Sequence, residues 1–282
     1  MSQPAYRAFD VVYHLHGTSP LLARLYLPAS PPPYPAVVEV HGGGWTSNDR
    51  LSNKAIHEAL AQAGIAVMSI DFRMPPEAQY PASIADVNVA IRWLKANAPA
   101  FGIVPDQIGA LGTSSGGQQT LLAVMKPFDP RFASLDLTEY GTAHSNTDAS
   151  VPYVIGCWPV ADPLARYRMV QERKNQRLID AHHAFWPDEA AMAEGSPQLV
   201  LERGEAVQLP PALLLQGTND DNLPADSADR FAAAYAKRGG EIQVEKFPGE
   251  PHTFISRDPN SAASRKALAL IVDFIRKHTG GV

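Results

Sequence analysis

The chain has 282 residues, 45% of them hydrophobic and 19% charged, and its 24 Lys and Arg against 29 Asp and Glu give a formal net charge of −5. This is the composition of an ordinary globular protein, with no basic surplus for nucleic acid and no run of the roughly 18 apolar residues that a membrane-spanning helix needs. The start, "MSQPAYRAFDVVYHLHG", lacks a basic segment followed by an apolar one, so the expectation is a full-length cytoplasmic protein. Cys157 is the single cysteine, which excludes an internal disulfide framework and argues against a Cys-based metal site.

In chain order, "FDVVYHLHGTSPLLARLYLP" reads as two alternating runs around a Gly-Thr-Ser-Pro turn, which predicts an antiparallel hairpin on a sheet edge, with "PASPPPYP" (28–35) as its exit loop. Short β-rich runs follow at 36–40, 65–70, 107–112, 153–158, 212–217 and 242–247, alternating with helical patterns. That alternation predicts parallel strands joined by crossover helices. The first two helices show apolar faces at Ile56, Leu60 and Ala63 before Gly64, and at Ile84, Val87, Ile91 and Leu94. Two later ones carry Ala228, Phe231 and Tyr235 before Gly239, and Leu268, Ile271, Val272 and Ile275 before Gly280. The fold class expected is α/β: a three-layer α/β/α sandwich with a mostly parallel central sheet, forming one domain over 1–282. Two connections are long. Residues 126–151 show little periodicity, and 162–208 carry helical patterns, with Leu164, Tyr167, Leu178 and Ile179 for an apolar face, so the latter is expected to be a cap-like insertion.

"LGTSSGG" (111–117) places two adjacent serines between glycines. Gly112 and Gly116 flank Ser114 at both second neighbours, whereas centring the pattern on Ser115 puts Thr113 where a glycine belongs. A nucleophile between a strand and a helix sits on a strained turn, where side chains two positions away would meet neighbouring backbone. The apolar "QIGALG" before Ser114 and the helix-forming "GGQQTLLAVMK" after it supply that context. Ser115, at the start of the helix, then has a backbone N–H suited to a developing oxyanion.

A serine hydroxyl needs an imidazole to take its proton and a carboxylate to orient the imidazole. "VEVHGGGWTSN" (38–48) ends a strand in three glycines, making Gly43 and Gly44 candidate oxyanion donors and His41 a structural residue of the loop. "LLLQGTNDDNLP" (213–224) delivers Asp220 and Asp221 at the end of a strand. "FPGEPHTF" (247–254) presents His252, so the order along the chain is Ser, Asp, His. No three histidines are spaced as convergent metal ligands, and no cofactor is called for. Trp45, Trp158 and His144 are candidate substrate contacts, although aromatic residues near insertions, here Trp45, Trp158, Phe185 and Trp186, more often pack a cap than line a pocket.

With these motifs in hand the chain resembles the α/β-hydrolase superfamily, and within it the hormone-sensitive-lipase-like carboxylesterases and acetyl-esterase-type enzymes. "HGGGW", "DFRMPPEAQYPASIADVNVAIRWL" (71–94), "GTSSGG", "GTNDDNLP" and "GEPHTF" look like that family's blocks in its order. The resemblance selects Asp220 over Asp221 as the acid. It implies Ser114 as nucleophile, His252 as base, an oxyanion hole of Gly43, Gly44 and Ser115, and scaffolding ion pairs from Asp71, Arg73, Glu77 and Asp86. It further implies hydrolysis of small to medium carboxylic esters through an acyl-enzyme, without a cofactor, and a homodimer as the candidate assembly. Relatives commonly carry an acidic residue at the position of Thr113 and alanine at that of Ser115. The alternatives are an amidase or formamidase with the same triad, and a non-catalytic binding protein of the same fold.

Overall fold

The alternating runs near the start of the chain become β1 (Tyr6–His16) and β2 (Ser19–Pro28), paired antiparallel as expected of a hairpin. The computed structural model describes residues 5–137 and 147–280. Six further strands follow: β3 (Tyr34–Val40), β4 (Ala66–Ile70), β5 (Ile103–Thr113), β6 (Val154–Cys157), β7 (Ala212–Gly217) and β8 (Ile242–Phe247). They form one sheet in the order β1-β2-β4-β3-β5-β6-β7-β8, antiparallel through β1, β2 and β4 and parallel from β4 to β8.

The central strands are buried along nearly their whole length, and their runs are accordingly continuous in Val, Ile, Leu and Ala rather than alternating. Four helices follow the apolar stripes read from the sequence: α1 (Lys54–Gln62), α2 (Ala82–Asn97), α8 (Ser227–Lys237) and α10 (Ala262–His278). Their buried positions include Ile56 and Leu60, Ile84 through Ile91 with Trp93 and Leu94, Phe231 and Tyr235, and Ile271 and Ile275. α3 (Ser114–Met125) is buried at every position, packed against the sheet and against α2. The architecture is that of the α/β-hydrolase fold, with a mostly parallel sheet, covering helices and an N-terminal antiparallel hairpin.

Between β6 and β7 the chain makes four short helices, α4 (Pro163–Glu172), α5 (Gln176–Phe185), α6 (Glu189–Glu194) and α7 (Pro197–Glu202). Each begins on a polar residue whose side chain accepts a backbone N–H of the first turn: Asp162, Asn175, Asp188 and Ser196. Two of these caps are followed by proline at the first helical position, where its missing N–H costs nothing. A single helical turn, α9 (Phe254–Arg257), follows β8.

Asp71 pairs with Arg50 and Arg73 with Asp86, each at 2.8 Å, so three of the four expected scaffolding residues do form ion pairs. Glu77 is the exception: it is exposed and has no ion pair among the described residues. Residues 126–137 and 147–151 carry neither helix nor strand, though Phe132 and Ala149 are buried. No helix among the described residues is long and apolar enough to cross a membrane.

Candidate active site

Parallel strands end at one edge of the sheet, and three of those ends supply the polar groups gathered there. Ser114 follows β5 directly and has φ +51°, in the left-handed region that non-glycine residues rarely occupy. Its carbonyl accepts the Val160 N–H at 2.9 Å, which ties the turn to the segment leaving β6. The flanking glycines are required by close backbone approach. A Cβ at Gly112 would lie 2.6 Å from the Gly116 carbonyl oxygen, and one at Gly116 would lie 2.2 Å from that of Val40.

Asp220 leaves the end of β7 and His252 sits in the loop after β8. The two loops are stitched together by Thr218 N–H to Phe247 O at 2.9 Å and Asn219 N–H to Glu250 O at 3.0 Å. Asp220 Oδ2 lies 2.7 Å from His252 Nδ1, and His252 Nε2 lies 2.9 Å from Ser114 Oγ. With Nδ1–H donating to the carboxylate, Nε2 is left as acceptor for the serine hydroxyl. Asp220 Oδ1 accepts the Asn222 N–H at 2.9 Å, which fixes the rotation of the carboxylate. All three side chains are buried. Asp221 is exposed and its carbonyl accepts from Arg173, so it stands outside this line.

Gly43 (φ +121°) and Gly44 (φ +64°) turn the loop after β3 toward Ser114. Among the described residues neither of their N–H groups has a protein acceptor, while the Gly43 carbonyl accepts from Ser47 Oγ at 2.8 Å. His41 Nδ1 donates to the Gly42 carbonyl at 2.7 Å, its ring stacks on Phe72, and burial holds its pKa below the ordinary imidazole value. It therefore braces the loop, as the sequence suggests. Gly43, Gly44, Ser114 and His252 border a cavity of about 460 Å³. A hydroxyl hydrogen-bonded to an oriented imidazole, facing free N–H groups, is an arrangement that can support acyl transfer.

Trp45 and Trp158 do not line this cavity. The Trp45 indole donates to Gln118 Oε1 at 3.0 Å and packs against His182, Phe185 and Trp186, while Trp158 packs against Phe254 and the edge of His252. Both are core residues because the insertion helices close over one and the loop after β8 over the other. His144 lies outside the described residues.

Behind the serine is a buried polar cluster that the sequence reading passed over. Glu39, in the middle of β3 and fully buried, accepts from Asn53 Nδ2 at 2.7 Å and Ser69 Oγ at 2.6 Å, and pairs with His57 Nε2 at 2.8 Å. Asn53 also reaches Thr113 Oγ1 at 3.0 Å, one residue before Ser114. Burial by itself raises the Glu39 carboxyl, but His57 and the three hydrogen bonds outweigh it, and the net shift is downward. The visible signal was a charge inside "AVVEV": a carboxylate in a strand buried on both faces must have partners. Three arginines on the cavity, Arg166, Arg177 and Arg257, were also missed, two of them because they come from helices α4 and α5 of the insertion.

The BD-FAE family model matches residues 24–235. Among curated proteins the chain is similar to Esterase LipC of Mycobacterium tuberculosis, 28% identical over 87% of this chain and 59% of that protein. It is also similar to the ethyl acetate hydrolase of Pseudomonas putida, 26% identical over 92% of this chain and 79% of the relative. The chain spans about half the length of the first curated relatives it matches. In fold it is similar to the hyperthermophilic esterase from the archaeon Pyrobaculum calidifontis, with TM-score 0.78 and 22% identity over 97% of this chain and 86% of that one.

Proposed function

The chain belongs to the BD-FAE family, and on that footing we propose that it is a serine hydrolase of carboxylic esters. The observation that carries this reading is the unbroken line from Asp220 through His252 to Ser114 Oγ, at 2.7 and 2.9 Å, beside the free glycine N–H groups. Ser114 Oγ attacks the ester carbonyl as His252 Nε2 takes its proton, and Asp220 stabilises the imidazolium that forms. The N–H groups of Gly43, Gly44 and Ser115 receive the oxyanion. His252 then gives the proton to the departing alcohol as the carbon–oxygen bond breaks, leaving an acyl group on Ser114. Water repeats the sequence, yielding the acid and free Ser114.

The printed name of the Pseudomonas putida relative, an ethyl acetate hydrolase, supports small esters as the substrates. In this reading the chain is a single domain in which residues 162–208 form the cap and set specificity. A cytoplasmic setting and a homodimer complete it; cell fractionation and size-exclusion chromatography test these two.

The test of the activity is steady-state turnover of 4-nitrophenyl esters of increasing acyl length, with matched anilides, by wild type and Ser114→Ala. Ester turnover by the wild type, reduced on the order of 10³–10⁶ in kcat by the substitution, is expected. Anilides turned over faster than esters would move the assignment to an amidase, and near-wild-type turnover by Ser114→Ala would overturn it.

A further inference from the structure

We propose that the cavity beside Ser114 binds an ester carrying a second, free carboxylate, held by Arg166 with Arg177 and Arg257. This rests on the ester-hydrolase reading above and names the substrate class of that site.

Three guanidinium groups border a single cavity, in a chain whose net charge is −5. Arg166, on α4, is the central one. It is 1% exposed, and its Nε and Nη1 are buried without a hydrogen-bond partner. Its guanidinium lies 5.2 Å from the centroid of the Trp45 ring, which positions the cation but neutralises no charge. Among the described residues no carboxylate forms an ion pair with Arg166, Arg177 or Arg257. Asp220, the carboxylate whose field acts on Arg166, is already engaged by His252 and the Asn222 N–H. His182 supplies no negative charge either, since its Nδ1 donates to the Leu178 carbonyl.

Burial, with the Arg177 charge adding to it, lowers the Arg166 guanidinium to about 10, so it remains protonated at neutral pH. A buried cation with two idle donors is costly unless something anionic completes it, and a guanidinium fork matches a carboxylate. Arg177 and Arg257 are exposed, at the opening of the cavity, where they would attract an anion before it reaches Arg166. The remaining walls agree: Asn48, Ser52, Asn53 and Asn222 are polar, and among the described residues Leu178 is the one aliphatic side chain on the cavity. Such walls suit a short, polar acyl compound better than a long hydrocarbon chain.

The experiment compares kcat/KM for acid-bearing and neutral esters of matched length: mono-4-nitrophenyl glutarate against 4-nitrophenyl valerate, and 4-butanoyloxybenzoate against phenyl butyrate. The first pair puts the carboxylate on the acyl half and the second on the leaving group. Wild type is expected to prefer the acid-bearing member of at least one pair by about tenfold or more. Arg166→Gln should lower that anionic-to-neutral ratio by about 10- to 100-fold, and Arg166→Lys should restore part of it. A wild-type ratio near or below one in both pairs, or a ratio untouched by both Arg166 variants, overturns the proposal.

Calorimetric binding of glutarate to Ser114→Ala protein, with and without Arg166→Gln, reads the anion site without turnover. Saturable binding lost with Arg166, in a protein that hydrolyses no ester, would retain the anion site and reject the esterase. Ester turnover without acid preference or glutarate binding would do the reverse.

Discussion

The Ser115 hydroxyl accepts the backbone N–H of Trp45 at 3.1 Å, joining the residue after Ser114 to the residue after the glycine run. The bond holds the two segments that carry the proposed oxyanion donors, the glycine loop and the start of α3, in fixed register. Ser115→Ala leaves the Ser115 N–H in place but strands a buried Trp45 donor. Kinetics on a short-chain ester should show kcat reduced about three- to tenfold, with stability in urea lower by about 1 kcal/mol. An unchanged kcat would mean that the loop is held without this bond.

Gly43 and Gly44 should respond differently to a methyl group. At Gly43 a Cβ would lie 2.1 Å from the Ser47 carbonyl oxygen, at φ +121°, so the loop must move. Gly43→Ala is expected to reduce kcat on the order of 10²–10³, as for loss of an oxyanion donor. At Gly44 the nearest atom is the Ala181 Cβ at 3.5 Å, and the left-handed backbone is the main penalty, about 1–2 kcal/mol. Gly44→Ala should therefore keep far more activity. Equal losses in the two variants would contradict the steric argument.

Glu39 is the keystone of the cluster behind Ser114. Glu39→Ala would leave the donors of Asn53 and Ser69, and the His57 ring, without their acceptor. A loss of about 3–5 kcal/mol is expected from urea unfolding. Glu39→Gln keeps an acceptor oxygen and should lose clearly less. Because Asn53 also holds Thr113, the Ala variant should lower kcat as well.

Acidification should destabilise the fold before carboxylates in general protonate. His182 is fully buried, and burial, followed by the Arg166 charge, pushes its pKa down to about 3. In the unfolded chain an imidazole titrates near about 6.5. Between those values the unfolded state binds the extra proton, so stability falls as pH falls from 6.5 toward 3. From pH 6.5 to 5 this amounts to about 2 kcal/mol. His182→Gln should flatten that part of the urea-midpoint profile. Glu39, whose folded pKa is lowered, adds a loss that sets in below about 4.3, the unfolded value.

The legibility of the site followed from locality. Strands, covering helices and the Ser-Asp-His order were readable because hydrophobic period and turn residues act over a few positions, and the glycines at 112 and 116 report backbone contact that no side chain could survive. The four helices of 162–208 were only partly readable, although Asp162-Pro163 and Ser196-Pro197 are capping signals in plain view. Short helices with few buried positions leave little period to detect.

What the sequence by itself determined is the order of strands and helices, the strained serine turn and the place of His252, because each is written in local spacing; the choice of Asp220 over Asp221 came from the family resemblance. The fate of single side chains was decided only in three dimensions. Trp45 became core because α5 closes over it, Glu39 found its partners on α1, β4 and the turn before α1, and Arg166 was carried from α4 to the cavity beside Ser114. Burial and charge pairing depend on what long-range packing brings within a few ångströms, and no local pattern carries that information.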